Sequence, residues 1–179
     1  MCTEREQHRR RSLRLPAFDY SREGAYYVTI CVNQRLNLLG EISGEEAKLN
    51  EAGMMIRHGW LELPRKFPGV QLDEFIIMPN HFHGIIIISE PDSNNTPIRR
   101  TRAGVSLPEI VQWFKTMTTN AYIRGVRDKK WSPFLSRLWQ RNYYERIIRD
   151  ETELSRFREY IVTNPARWGD DEDNVARLG

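Results

Sequence analysis

The sequence predicts an α+β domain: an antiparallel sheet of ferredoxin-like βαββαβ order with one helix added at the C-terminal end. Three observations predict it. A β-branched and aromatic run over 24–32 opens the pattern. Two apolar runs, 70–78 and 83–89, flank a Pro79-Asn80 break and read as neighbouring strands of a central sheet. Segments with helical spacing alternate with these strands, and a last one follows a final strand-like run over 138–148.

Taken in order, residues 1–20 are polar, basic and aperiodic, an arm expected to order on something anionic. After the first strand, Asn33-Gln34-Arg35 turns the chain, and 38–42 reads as a short paired strand. From Gly44 to about Phe67, Ala47, Met54, Met55, Leu61 and Leu63 fall near helical spacing, and Pro64 and Pro68 close that helix. The turn formers over 91–97 predict a long loop, not a domain boundary. Leu107-Pro108 opens a helix with an apolar stripe of Ile110, Val111, Phe114, Met117, Thr118 and Ala121. Asp150 caps the last helix, Glu151 and Glu153 fill its first turn, and Pro165 stops it. One domain over 21–169 is expected, followed by an acidic tail at 170–179.

Composition narrows the function classes. At 179 residues with 40% hydrophobic and 28% charged content, the chain has the profile of a soluble globular protein. Its apolar runs are too short to span a bilayer, so no membrane partner is expected. Cys2 and Cys31 are the only cysteines, which disfavours a disulfide framework or a thiolate zinc site. With no apolar signal region at the N-terminus, a reducing cytoplasm is the expected compartment, with nucleoid association. Net charge is +3, but the basic residues cluster at Arg9, Arg10 and Arg11 and again at Arg99, Arg100 and Arg102. Such clusters suit a polyanion, and equally a merely solvated face.

Two of the four histidines fall in His81-Phe82-His83, directly after Met78-Pro79-Asn80. Side chains alternate along a strand, so both imidazoles project to one face while Phe82 enters the packing layer on the other. Imidazole is the commonest metal ligand, so the pair points to metal or phosphate chemistry. In the last helix, Leu154, Phe157 and Ile161 form the buried stripe, and Tyr160 and Asn164 stack on its flank. Taken alone, Tyr160 reads as a core-edge aromatic and Asn164 as a helix cap.

Together, Met78-Pro79-Asn80-His81-Phe82-His83 and Tyr160-Ile161-Val162-Thr163-Asn164-Pro165, about eighty residues apart, resemble the single-tyrosine HUH transposases, most closely the REP-associated group. Trp139-Gln140-Arg141-Asn142-Tyr143-Tyr144-Glu145 resembles a block that this group carries before its last helix. The resemblance covers roughly 20–169 and implies a single-stranded DNA endonuclease and strand transferase. It implies that His81, His83 and Asn164 bind Mg²⁺ or Mn²⁺ and that Tyr160 is the nucleophile, forming a 5′-phosphotyrosine intermediate. Neutral ligands leave the ion its charge for phosphate oxygens, and a nearby cation helps a phenol whose pKa is near 10. Tyr143 and Tyr144 are rival nucleophiles, but neither has an amide one helical turn further on.

The implied substrate is a hairpin-forming palindrome with a single-stranded flank, bound by a monomer or homodimer. Arg9, Arg10, Arg11, Arg99, Arg100, Arg102, Lys115 and Arg141 are candidates for phosphate contact, and Tyr143 and Tyr144 for base stacking. One departure lies at Ala166-Arg167-Trp168-Gly169, where the group commonly carries Val-Lys-His-Gly. The alternative reading is a catalytically silent nucleic-acid-binding module on the same fold. An unrelated His-x-His hydrolase would need further ligands at recognisable spacing, which His8 and His58 do not supply.

Overall fold

A computed structural model describes residues 23–89 and 105–170. The basic arm with Arg9, Arg10 and Arg11, the cluster at Arg99, Arg100 and Arg102, and residues 171–179 lie outside the described residues.

The elements in chain order are β1 (Gly24–Cys31), the hairpin strands β2 (Gly40–Ser43) and β3 (Glu46–Leu49), α1 (Glu51–Leu61), and a short α2 (Leu63–Lys66). They continue as β4 (Val70–Ile77), β5 (His81–Ile88), α3 (Leu107–Lys129), β6 (Tyr144–Ile148), α4 (Glu151–Thr163) and a 3₁₀ turn (Pro165–Asp170). The main sheet has the order β4-β5-β1-β6, and every neighbouring pair is antiparallel. Without the β2–β3 hairpin this is the expected βαββαβ order with α4 appended.

Alternation on β1 and β5 sorts the two faces. Tyr26, Val28 and Ile30 with Phe82, Ile86 and Ile88 join α1 and α3 in the larger core. There Phe82 meets Trp60 at 4.4 Å and Phe114 at 5.7 Å between ring centres, which fulfils the expectation for Phe82. Tyr27 and Ile85 face the other way, under α4, with Ile148 and Ile161.

Local chemistry sets the helix ends. Asn50 Oδ1 accepts from the Gly53 amide at 2.9 Å to start α1. At the start of α3, Ser106 donates its amide to Glu109 Oε2 at 2.9 Å, one half of a capping box. Asp150 accepts from the Glu153 amide at 2.8 Å to start α4.

Three sequence expectations are corrected. The helix placed from Gly44 begins at Glu51, because residues 46–49 pair as β3 with β2. Its buried face is Ala52, Ile56 and Trp60, one turn apart, whereas Met54 and Leu61 are exposed. The strand placed over 138–148 is strand only at Tyr144–Ile148, because Leu138 and Trp139 insert into the core and Trp139 makes a single bridge to Val32. The α3 stripe also shifts: Tyr122 and Gly125 are buried and Met117 is exposed.

Candidate active site

The site lies where α4 crosses the β5-β1-β6 face. Pairing places Ile76, His83, Thr29 and Tyr144 side by side across four strands, with His81 opposite Cys31 one step along. The His81 and His83 ring centres are 4.5 Å apart. Over this row α4 lays Tyr160, its ring edge-on to His83 at 5.4 Å and to Tyr27 at 6.2 Å. Tyr160 keeps 37% of its surface exposed. Asn164, one turn further and almost fully buried, stands where α4 passes into the 3₁₀ turn.

Three anchors hold α4 in place. Leu154, Phe157 and Ile161 pack on the sheet, with Phe157 stacked on Tyr27 at 4.4 Å. The Arg158 guanidinium grips Asp73 twice, at 2.8 and 2.7 Å. A break in the β4–β5 register between Leu72 and Phe75 adjoins Asp73. Arg146 on β6 pairs with Glu153 at 2.6 Å.

Each histidine is fixed through Nδ1. Asn80, fully buried, donates Nδ2 to the Arg35 carbonyl at 3.1 Å, which orients its amide. Its Oδ1 then faces His81 Nδ1 at 2.9 Å and can only accept, so His81 carries its proton on Nδ1. His83 Nδ1 lies 2.7 Å from the Tyr27 hydroxyl and 2.9 Å from Thr29 Oγ1. Burial holds the His83 pKa well below its ordinary value, and the charges of His81 and Arg35 push the same way, so the ring is neutral near pH 7. Burial also raises the Tyr27 phenol above its usual range, an effect the Thr29 hydrogen bond partly offsets.

The donor set fits a hard divalent cation on two counts. His83 Nε2 and Asn164 Oδ1 are buried atoms with no hydrogen-bond partner. Such atoms are costly unless something satisfies them. Both are neutral donors of the kind such ions accept alongside water and phosphate. Among the described residues no group of three or more His, Cys, Asp or Glu side chains is placed to hold a metal, so two imidazoles and an amide are the set available.

A cleft of about 600 Å³ opens beside these residues, lined by His83, Tyr160, Tyr27, Thr29, Tyr143, Tyr144, Arg35 and Arg156 among others. The structure thus brings together His81, His83 and Tyr160, sets Asn164 one turn beyond Tyr160 at the end of α4, and puts Tyr144 on the cleft wall. Tyr143 packs partly into the larger core. Lys115 is engaged in the fold, donating Nζ to the carbonyls of Gln140 at 2.6 Å and Arg141 at 3.0 Å. Arg141 is exposed beside an adjoining hollow. Sequence reasoning missed Arg156, Tyr27 and Thr29. Arg156 precedes Tyr160 by one helical turn, a spacing legible in the sequence, whereas Tyr27 and Thr29 read only as strand residues.

No family model matches the sequence. An uncharacterized protein of Haemophilus influenzae is 38% identical over 170 residues, spanning 92% of this chain and 93% of its own. The two belong to one family. A second Haemophilus influenzae relative, a putative REP-associated tyrosine transposase, is 24% identical over 84% of this chain and 75% of its own. The solved structure of a REP-associated tyrosine transposase bound to a REP hairpin shares the fold, with a TM-score of 0.58, 20% identity, and cover of 88% of this chain and 75% of that one. In sequence the chain is similar to a putative REP-associated tyrosine transposase, and it shares the fold of the hairpin-bound one. The Ala166-Arg167-Trp168-Gly169 departure takes on a structural meaning here, because the Trp168 ring lies 5.9 Å from His81 at the edge of the site.

Proposed function

We propose that this chain is a metal-dependent single-stranded DNA endonuclease and strand transferase acting at hairpin-forming repeats. The observation that carries the reading is the convergence of an accessible tyrosine and a buried histidine pair, with an unsatisfied amide oxygen one helical turn beyond the tyrosine. Similarity to a putative REP-associated tyrosine transposase supports the reaction class, and the hairpin in the complex that shares the fold supports the substrate class.

In this reading the Tyr160 oxygen attacks the scissile phosphorus. A Tyr–O–P bond forms as the P–O3′ bond breaks, leaving a 5′-phosphotyrosine and a 3′ oxygen that takes up a proton as hydroxyl. Covalent capture keeps the phosphoester for rejoining, since a later 3′-hydroxyl can displace Tyr160 by the reverse step. His81, His83 and Asn164 would hold Mg²⁺ or Mn²⁺, which supplies charge to neutralise phosphate oxygens and favour the phenolate. Phe157 and Tyr27 brace the nucleophile's helix from below, and Arg156 stands on the same cleft wall to attract the backbone of the strand.

The test is incubation with hairpin oligonucleotides from the source genome and Mg²⁺ or Mn²⁺, scored for a protein–DNA adduct on a denaturing gel. The parent and Tyr144→Phe should form the adduct, and Tyr160→Phe should not. Adduct formation by Tyr160→Phe would remove the assigned nucleophile. Tight hairpin binding by the parent with no adduct under any condition would replace the reading by the silent binding module.

A further inference from the structure

His81 and His83 differ in what fixes them, and the difference gives a role to three residues outside the ligand set. An imidazole that binds a metal through Nε2 must carry its proton on Nδ1, and the partner of Nδ1 decides whether it does. For His81 that partner is the Asn80 amide oxygen, whose orientation is set by the bond from Nδ2 to the Arg35 carbonyl. For His83 the partners are two hydroxyls, and Thr29 Oγ1 also donates to the Tyr27 oxygen at 3.2 Å. Three polar atoms thus form a closed triangle behind the ring. Hydroxyls accept as well as donate, so the triangle can receive the Nδ1 proton. Tyr27 is almost fully buried and pinned by its stack on Phe157, and it touches Tyr160 edge-on. It therefore joins the histidine side of the site to the helix that carries the tyrosine.

We propose that Asn80, Tyr27 and Thr29 are positioning residues: Asn80 for His81, and the Tyr27–Thr29 hydroxyl pair for His83. Together they present both Nε2 atoms, unprotonated, to one cation. In the metal-bound protein Nδ1–H of His83 donates into the hydroxyl pair, and both side chains stay neutral. The inference rests on the proposed metal site, and its test separates the two.

Two measurements on the full chain at pH 7.5, without DNA, decide it. The first is Mn²⁺ binding followed by loss of the free-ion paramagnetic resonance signal. Tyr27→Phe, which keeps the ring on Phe157, and Tyr27→Phe/Thr29→Val should melt as the parent does. The double variant should bind Mn²⁺ about tenfold or more weakly, as loss of an outer-shell partner usually causes. Thr29→Ser should bind as the parent does, because the hydroxyl is kept. The second is long-range ¹⁵N–¹H correlation of the histidine rings, with Mg²⁺ as the diamagnetic ion. His81 should carry its proton on Nδ1 with or without Mg²⁺, and His83 on Nδ1 once Mg²⁺ is added. Parent-like Mn²⁺ binding by the double variant, or an Nε2 proton on His81 in the parent, would overturn the positioning roles and leave the proposed function standing. A parent that binds no Mn²⁺, with or without a hairpin, would overturn the metal site and these roles together.

Discussion

Gly84 sits between His83 and Ile85 because nothing larger fits beneath the indole of Trp60. A Cβ at that position would lie 2.6 Å from Trp60 Cζ2 and 2.8 Å from Phe82 Cζ, both rings being fully buried. Gly84→Ala should therefore destabilise the fold by about 1–3 kcal/mol, the usual cost of overpacking, and lower the urea midpoint. The same strand step carries His83 to the opposite face, so the variant should also weaken adduct formation. A second residue-scale case is Thr118, whose Oγ1 accepts from the Trp139 indole at 2.9 Å in a buried contact. Thr118→Val keeps the shape and strands the indole N–H, which should cost about 1–3 kcal/mol in the same unfolding experiment.

The helix that carries Tyr160, the proposed nucleophile, is the element whose placement matters most, and a charge pair ties it to β4. Its hydrogen bonds from Arg158 hold the Asp73 carboxyl below its ordinary range, against a smaller opposing effect of burial. A carboxylate whose pKa is lowered on folding adds stability that is fully present above its unfolded value, about 4, and is lost as pH falls through the folded value. Docking of α4 should thus loosen only in acid below about pH 4. Asp73→Asn should produce the loosening at neutral pH, read as a few-fold faster amide exchange confined to α4. Exchange of α4 unchanged by Asp73→Asn would show that the apolar stripe alone holds the helix.

Over the whole molecule, the proposed DNA binding turns on which side-chain cations meet phosphate. Hairpin affinity should fall as salt rises, because neutralised phosphates release counterions. Replacing a phosphate contact reduces the slope of log affinity against log salt by about one. Arg156→Gln should show that reduction. Lys115→Met should weaken binding with little change in slope, since its ammonium is already committed to the Gln140 and Arg141 carbonyls. A reduced slope for Lys115→Met would return it to the DNA surface.

The sequence by itself determined the strand and helix order, the opposite facing of Phe82 and its two flanking histidines, and the pairing of Tyr160 with Asn164. Those features follow from local periods: two along a strand, three to four along a helix. Strand β3 escaped that reading although its partner β2 was legible, because a short half-exposed strand carries little periodic signal and Ala47 fits a helix as well as a strand. The run over 138–148 misled for the opposite reason, since Leu138 and Trp139 are apolar to fill the core without extending a strand. Only the tertiary structure decided that Asn80 orients His81, that two hydroxyls stand behind His83, and that Lys115 is spent inside the fold. Such partners lie up to 56 residues apart in the chain, as with Tyr27 and His83, and hydrogen bonding across that distance leaves no periodic trace in the sequence.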